Sequence, residues 1–273
     1  MLLSRVDAVG EGTPARDTFA CGFPSVDALL GGGFRRGDLV VLGGDVGSGK
    51  SALALAFAIR ASLLEARVAF LTSEMSVERV LERVIAIEAR TRIDDLRQGT
   101  LDDAMRAAAG NVALRLRDHL PIVERLPATE GVPQIGAFLD EFPNVDVLVV
   151  DSLAAFGKGL QPTDEELAAA VRQLKALALD RGMAILATAP LPLLAPRPDR
   201  RPTLDDFGAL GTVKQLADIV LGLFRQDMYE TARDIEGATE LLIRKNRNGP
   251  TGYVDLFFYA QWMRFEDMLD PDR

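Results

Sequence analysis

The sequence predicts an α/β fold, a twisted and mainly parallel sheet flanked by helices, with an antiparallel hairpin near its C-terminal end. Three observations carry that prediction. Short apolar runs of strand length alternate with stretches of helical periodicity, the order that builds parallel βαβ units. A glycine-rich loop stands between one of these runs and the helix after it. Late in the chain, two strand-like runs flank the turn-rich segment Asn246-Arg247-Asn248-Gly249-Pro250-Thr251-Gly252, which suits a hairpin.

Each element has its own warrant. Asp38 to Gly43 (DLVVLG) reads as a buried strand, followed by a helix from about Lys50 to Leu64, and Val68 to Thr72 (VAFLT) is the next strand. Ser76 can cap a helix whose apolar face is Val77, Val80, Leu81, Val84 and Ile85. A further helix is expected over Leu101 to Leu116, with a short strand at Ile122 to Glu124. Val145 to Val150 is a central strand ending at Asp151. Thr163 and Glu166 form a capping box for a helix with Leu167, Val171, Leu174 and Ala178 inside. Met183 to Thr188 is again a strand. Five prolines between Ala189 and Thr203 predict a stiff irregular surface loop carrying Arg197, Arg200 and Arg201. Ile219 to Phe224, Glu240 to Arg244 and Tyr253 to Tyr259 read as three last strands. Residues 1–17 read as an N-terminal arm and 18–273 as one domain.

Composition removes several function classes. The 273 residues are 48% hydrophobic and 26% charged, with a net charge of −9, so contact with nucleic-acid phosphate has to be local rather than a basic coat. One cysteine (Cys21) and one histidine (His119) exclude an intrachain disulfide, a zinc cluster and a Ser-His-Asp triad. Cys21 reads as a buried apolar residue and His119 as part of a helix cap. The first ten residues do not read as a secretory signal, and no run approaches the ~18 apolar residues of a membrane span, so a cytoplasmic, non-membrane protein is expected.

The strongest chemical signal is Gly44-Asp45-Val46-Gly47-Ser48-Gly49-Lys50-Ser51, a complete G-x-x-x-x-G-K-[ST] with Ala52 next along the helix. It follows a predicted strand and opens a predicted helix, as a phosphate-binding P-loop requires. The loop N–H groups and the helix N-terminus favour an anion, Lys50 supplies positive charge to phosphates, and the Ser51 hydroxyl suits Mg²⁺. Asp151 at the end of a neighbouring strand is placed as the second Mg²⁺ partner, although an aspartate there also serves in turns and caps. Glu74, just beyond the strand Val68 to Thr72, is placed either to polarise water or simply to favour a helix N-terminus.

These residues arrive in an order that resembles the ATPase domain of the DnaB-type replicative DNA helicases, a RecA-like P-loop NTPase that assembles as a hexamer. The matching segments are Gly22-Phe23 with Leu29 to Gly32, the P-loop, Ser73-Glu74-Met75-Ser76, Val149-Val150-Asp151 and Arg201-Pro202 with Leu204. Gln215 with Ala217-Asp218, Lys245 to Gly252 and Arg264-Phe265-Glu266 complete the match. The resemblance implies Mg²⁺-dependent ATP hydrolysis, with Glu74 as the catalytic glutamate and Asp151 as the Walker B aspartate. It also implies that Lys245 and Arg247 reach the γ-phosphate bound to a neighbouring subunit, as arginine fingers do.

The departures from that family are specific. Its usual Ser-Gln pair is replaced by Thr188-Ala189, so a glutamine amide is gone. Its DNA-contacting Arg-Glu-Ser-Gly reads Gly208-Ala209-Leu210-Gly211 here, which leaves only backbone N–H groups for phosphate. Arg197, Arg200 and Arg201 either substitute for the lost charge or form a solvated loop. The triple glycine Gly31-Gly32-Gly33 leans toward KaiC- and RadA-like ATPases, and no counterpart of the family's N-terminal helical domain is expected in this sequence. Two function classes follow: a single-stranded DNA translocase or helicase working as a ring, or a KaiC/RadA-like ATPase that switches or assembles a protein partner.

Overall fold

The computed structural model describes Asp7 and residues 17–126, 131–157, 162–191, 197–230 and 235–269. The arm expected over residues 1–17 therefore lies almost wholly outside the described residues. The chain order is β1 (Thr18–Phe19), α1 (Pro24–Leu30), β2 (Phe34–Arg35), β3 (Leu39–Gly44), α2 (Lys50–Leu63), β4 (Val68–Thr72) and α3 (Val77–Ala89). Next come α4 (Ile93–Gln98), α5 (Asp103–Leu116), β5 (Ile122–Arg125), α6 (Val132–Glu141), β6 (Val147–Asp151), α7 (Asp164–Arg181) and β7 (Ala184–Pro190). The last elements are α8 (Thr212–Leu216), β8 (Ile219–Arg225), β9 (Ala238–Asn246), β10 (Gly252–Tyr259) and β11 (Arg264–Asp267).

Nine strands form one sheet in the order β11-β10-β9-β8-β3-β7-β6-β4-β5. The run from β8 to β5 is parallel, and β9, β10 and β11 pair antiparallel, so the expected hairpin is the start of a three-strand wing. Strand alternation separates two cores. Val40 and Leu42 face one core with α2 and α3, while Leu39 and Val41 face the other with α6 and α7. Burial on both faces is why the parallel strands read as continuous apolar runs.

Several expectations need adjustment. On α3 the buried stripe is Val80, Val84 and Ile87, rotated from the predicted face, with Leu81 and Ile85 half-buried. The Ser76 cap forms, accepting the Arg79 N–H at 3.4 Å, and the Thr163–Glu166 capping box is complete. Strand β7 runs on to Pro190, beyond the predicted end at Thr188. Pairing with β6 stops at Ala187 while pairing with β3 continues, so the missing proline N–H breaks no ladder bond. Cys21 is fully buried, and that burial pushes its thiol pKa up. His119 caps through its backbone alone: its N–H bonds the Leu116 carbonyl and its carbonyl accepts Ser62 Oγ–H at 2.6 Å. The triple glycine has a local cause, because a Cβ on Gly33 would lie 2.1 Å from the Phe19 carbonyl oxygen. Among the described residues no helix is long and apolar enough to cross a membrane.

Candidate active site

The P-loop joins the C-terminal end of β3 to the first turn of α2. Gly47 and Gly49 take φ of +81° and +98°, in the left-handed region, and a Cβ on Gly49 would meet the Phe265 ring at 2.9 Å. No side chain caps the N-terminus of α2, which leaves its first N–H groups for an anion. Lys50 folds back over the loop, its Nζ donating to the carbonyls of Gly44 (3.0 Å) and Asp45 (2.7 Å). Burial lowers the Lys50 ammonium pKa, against the charges of Asp151, Asp45 and Glu74. A strut braces the loop from outside: Tyr229 O–H donates to Asp45 Oδ2 at 2.8 Å and stacks on Phe224. Burial, reinforced by Asp45, pushes the Tyr229 phenol up to about 12.

Asp151 is not on the strand next to the P-loop strand, as the sequence suggested, because β7 lies between β3 and β6. The intervening strand contributes. Thr188 Oγ1–H donates to Asp151 Oδ1 at 2.6 Å, and Ser51 Oγ–H donates to the same oxygen at 2.9 Å. Asp151 Oδ2 is buried without a hydrogen-bond partner among the described residues. Burial raises the Asp151 carboxyl pKa, and the two hydroxyl donors partly offset that. A buried carboxylate oxygen with no donor, next to a serine hydroxyl, fits a hard divalent cation with oxygen ligands. Among the described residues no group of three or more His, Cys, Asp or Glu could form an all-protein cage. That fits Mg²⁺, which keeps waters and substrate phosphates as ligands.

Glu74 joins this group. The Ser73 N–H bonds the Asp151 carbonyl at 2.8 Å, extending the β4–β6 ladder, and Ser152 Oγ–H donates to Glu74 Oε1 at 3.0 Å. Lys50, Ser51, Glu74 and Asp151, all selected from sequence, thus meet at the C-terminal edge of the sheet. Thr188 and Ser152 were missed; each is a hydroxyl beside a strand end, and only the strand order reveals what it touches.

Lys245 and Arg247 lie at the opposite edge. Lys245 Nζ donates to the Lys214 and Gln215 carbonyls at the end of α8. Arg247 Nε donates to Asp218 Oδ1 at 2.8 Å, and its Nη2 to the Gln215 carbonyl at 3.2 Å. Asp218 also accepts the N–H of Leu39, the first residue of β3, whose other end is Gly44 of the P-loop. Five strand steps at about 3.3 Å each separate the two edges by roughly 16 Å. Neither cation serves its own P-loop.

Of the expected phosphate-contacting arginines, two are committed within the chain. Arg197 is bidentate to Asp206 (2.8 and 2.6 Å), and Arg201 is bidentate to Glu240 (2.6 and 2.5 Å) while lying over Phe224. Arg200 is the exposed member, 5.6 Å over the Tyr229 ring. In the Gly208–Gly211 loop, the Ala209 N–H already bonds Asp164 Oδ1 and the Gly211 N–H bonds the Gly208 carbonyl. The Asp164 carboxylate puts negative charge under the loop, where a phosphate would be repelled. Ala189, at the lost glutamine, is buried in the core with α7.

Comparison with known proteins places this chain in a family. Residues 18–267 match the family described as DnaB-like helicase C terminal domain. The replicative DNA helicase DnaC of Bacillus subtilis (strain 168) is 27% identical over 255 residues, covering 90% of this chain and 56% of the relative. The replicative DNA helicase DnaB of Geobacillus stearothermophilus is 28% identical over 267 residues, with the same shares covered. The chain therefore spans little more than half the length of these relatives. Among solved structures, one of an isolated ATPase domain superposes with a TM-score of 0.87 at 21% identity, covering 98% of this chain and 97% of that one. A DnaB-like replicative helicase, solved in a study of its interactions with primase, gives a TM-score of 0.86 at 21% identity, covering 97% of this chain and 65% of that one. The fold is that of the DnaB-type ATPase domains, and the chain belongs to the DnaB-like helicase C-terminal domain family.

Proposed function

We propose that this chain is an ATP-driven motor of the DnaB helicase type, which hydrolyses ATP with Mg²⁺ and moves on single-stranded DNA as part of a cytoplasmic hexameric ring. Residues 18–273 act as the ATPase domain, preceded by an arm of residues 1–17. Lys50 and the N–H groups of Gly44 to Ala52 hold the phosphates. Ser51 and Asp151 would hold Mg²⁺, which when bound neutralises charge on the phosphate oxygens. Glu74 orients and deprotonates the attacking water. Lys245 and Arg247 of one subunit stabilise the charge developing on the neighbour's γ-phosphate.

The observation that carries this reading is the division of one catalytic set between two edges of the sheet. The P-loop, Glu74 and Asp151 share the C-terminal edge, and the two cations sit beyond reach at the other. Such a set is complete only where two subunits meet. ATP turnover with and without single-stranded DNA tests the motor: stimulation severalfold or more is expected, and an unchanged rate would remove DNA from the account.

A second reading, a KaiC/RadA-like ATPase that switches a protein partner, is favoured by one feature. The Gly208–Gly211 loop lacks cations and already uses two of its N–H groups internally. DNA-independent turnover would select it.

A further inference from the structure

Arg83 stands on α3 and has no place in the scheme above. It is half-buried beside the core positions Val80 and Val84. Helical side chains lean toward the N-terminus of their helix, and α3 begins at the Ser76 cap, two residues after Glu74. Arg83 Nε is buried and has no hydrogen-bond partner among the described residues. No ion pair engages this guanidinium among the described residues. A buried charged donor without an acceptor is costly, so the geometry calls for a partner that arrives later.

Two carboxylates of the site act on its charge. Asp151 and Glu74 favour the ionised guanidinium, while burial, Arg97 and Arg79 oppose it. Arg97 is itself engaged, its Nε donating to Glu82 at 3.0 Å. Asp151 Oδ2 and Ser48 Oγ of the P-loop are also buried without hydrogen-bond partners among the described residues, and Asp151 Oδ2 is the atom a divalent cation would satisfy. Glu74 remains. Its Oε1 is held by Ser152 Oγ alone among the hydrogen bonds of the described residues, and its carboxylate is exposed. One hydroxyl on one oxygen does not fix the direction of a carboxylate.

We infer that Arg83 is a positioning residue for Glu74: with nucleotide in the P-loop, its guanidinium donates to the Glu74 carboxylate and, together with Ser152, aims it at the attacking water. The inference rests on the reading of Glu74 as the group that activates water. A planar fork of donors suits the task better than an ammonium.

The test is a double-mutant cycle on the full chain, with Arg83→Gln, Glu74→Gln and the pair. ATP affinity is read with a fluorescent ATP analogue, and turnover and melting temperature are followed alongside. Arg83→Gln should lower kcat about 10–100-fold, the cost of a misdirected catalytic group. ATP affinity should stay within about 3-fold, since a positioning residue leaves ground-state binding alone. In the Glu74→Gln background the same change should cost less than about 2-fold, because the residue it positions is already gone. Arg83→Lys, which keeps the charge and lies nearest in shape, should recover part of kcat and carries the same cycle if Arg83→Gln does not fold. Multiplying losses in the pair, or ATP affinity falling in step with kcat, would overturn the inference and point to a structural or phosphate-binding arginine. Parental turnover in Glu74→Gln alone would overturn the Glu74 reading and this inference with it, whereas an inactive Glu74→Gln with multiplying losses would overturn only the second.

Discussion

Arg247 Nε donates to Asp218 Oδ1 at 2.8 Å, while Asp218 Oδ2 accepts both the Leu39 N–H (2.9 Å) and Lys175 Nζ (2.5 Å). One buried carboxylate thus ties the start of the P-loop strand to a cation offered outward, since the Arg247 side chain is 48% exposed. The guanidinium is held at Nε by Asp218 and at Nη2 by the Gln215 carbonyl, so among the described residues' hydrogen bonds Nη1 is the nitrogen left to offer outward. Asp218→Ala should destabilise the fold by about 3 kcal/mol, because it removes the acceptor of the buried Leu39 N–H and the carboxylate partner of the half-buried Lys175 ammonium. Urea unfolding measures this, and a loss below about 1 kcal/mol would mean that Asp218 is dispensable to the fold.

Thr188→Val keeps shape but removes one of the two hydroxyls on Asp151 Oδ1. The remaining carboxylate is worse oriented and its pKa rises further, since burial then meets one donor fewer. The Mg²⁺ concentration for half-maximal ATP turnover should rise about 10-fold. An unchanged requirement would separate Thr188 from the site.

Glu74→Gln preserves the side-chain shape and removes the charge proposed to activate water. Turnover should fall about 10²–10⁴-fold with ATP still bound. Filter binding of ATP together with phosphate release distinguishes this from Lys50→Ala, which should lose both.

Asp38 gives a pH signature unrelated to catalysis. Burial and the charge of Asp218 raise its carboxyl from 3.8 to about 6 in the folded protein. Between these values the folded state keeps a proton that the unfolded state has released, so stability falls as pH rises from 4 to 6 and is flat above. Asp38→Asn removes that dependence. The stability of the variant relative to the parent should grow by about 1–3 kcal/mol over this range. A constant difference in urea unfolding at pH 4 and pH 6.5 would contradict it.

Much of this was legible in the residues, for identifiable reasons. Strands β4 and β6 are buried on both faces, so Val68–Thr72 and Val147–Asp151 read as continuous apolar runs. The P-loop was legible because its glycines, lysine and serine lie consecutively. Four helices were not anticipated, among them α8 with only five residues. Helix α1 has seven residues and opens on Pro24, and α4 has six with none buried, so neither shows a full apolar period. In α6, Val132, Ile135 and Leu139 keep helical spacing, but Pro133 and Gly136 mask it. The site's hydroxyls from Thr188 and Ser152 were hidden for a different reason. Their roles depend on β7 lying between β3 and β6, and strand order is a property of the whole sheet. Arg197 and Arg201 looked available to phosphate because Asp206 and Glu240, 9 and 39 residues away, neutralise them only in the fold.

In the proposed motor the catalytic set is completed by a neighbouring subunit. Arg247→Ala and Lys50→Ala proteins, each nearly inactive alone, are mixed and assayed for ATP turnover. In mixed rings some interfaces pair the intact P-loop of the first with the intact Arg247 of the second. Because such fingers are worth about 10³–10⁵ in kcat, even a few complete interfaces should restore activity far above either parent. Specific activity of the unaltered chain should likewise rise with protein concentration. No recovery on mixing, with concentration-independent turnover in a monomeric sample, would contradict the account.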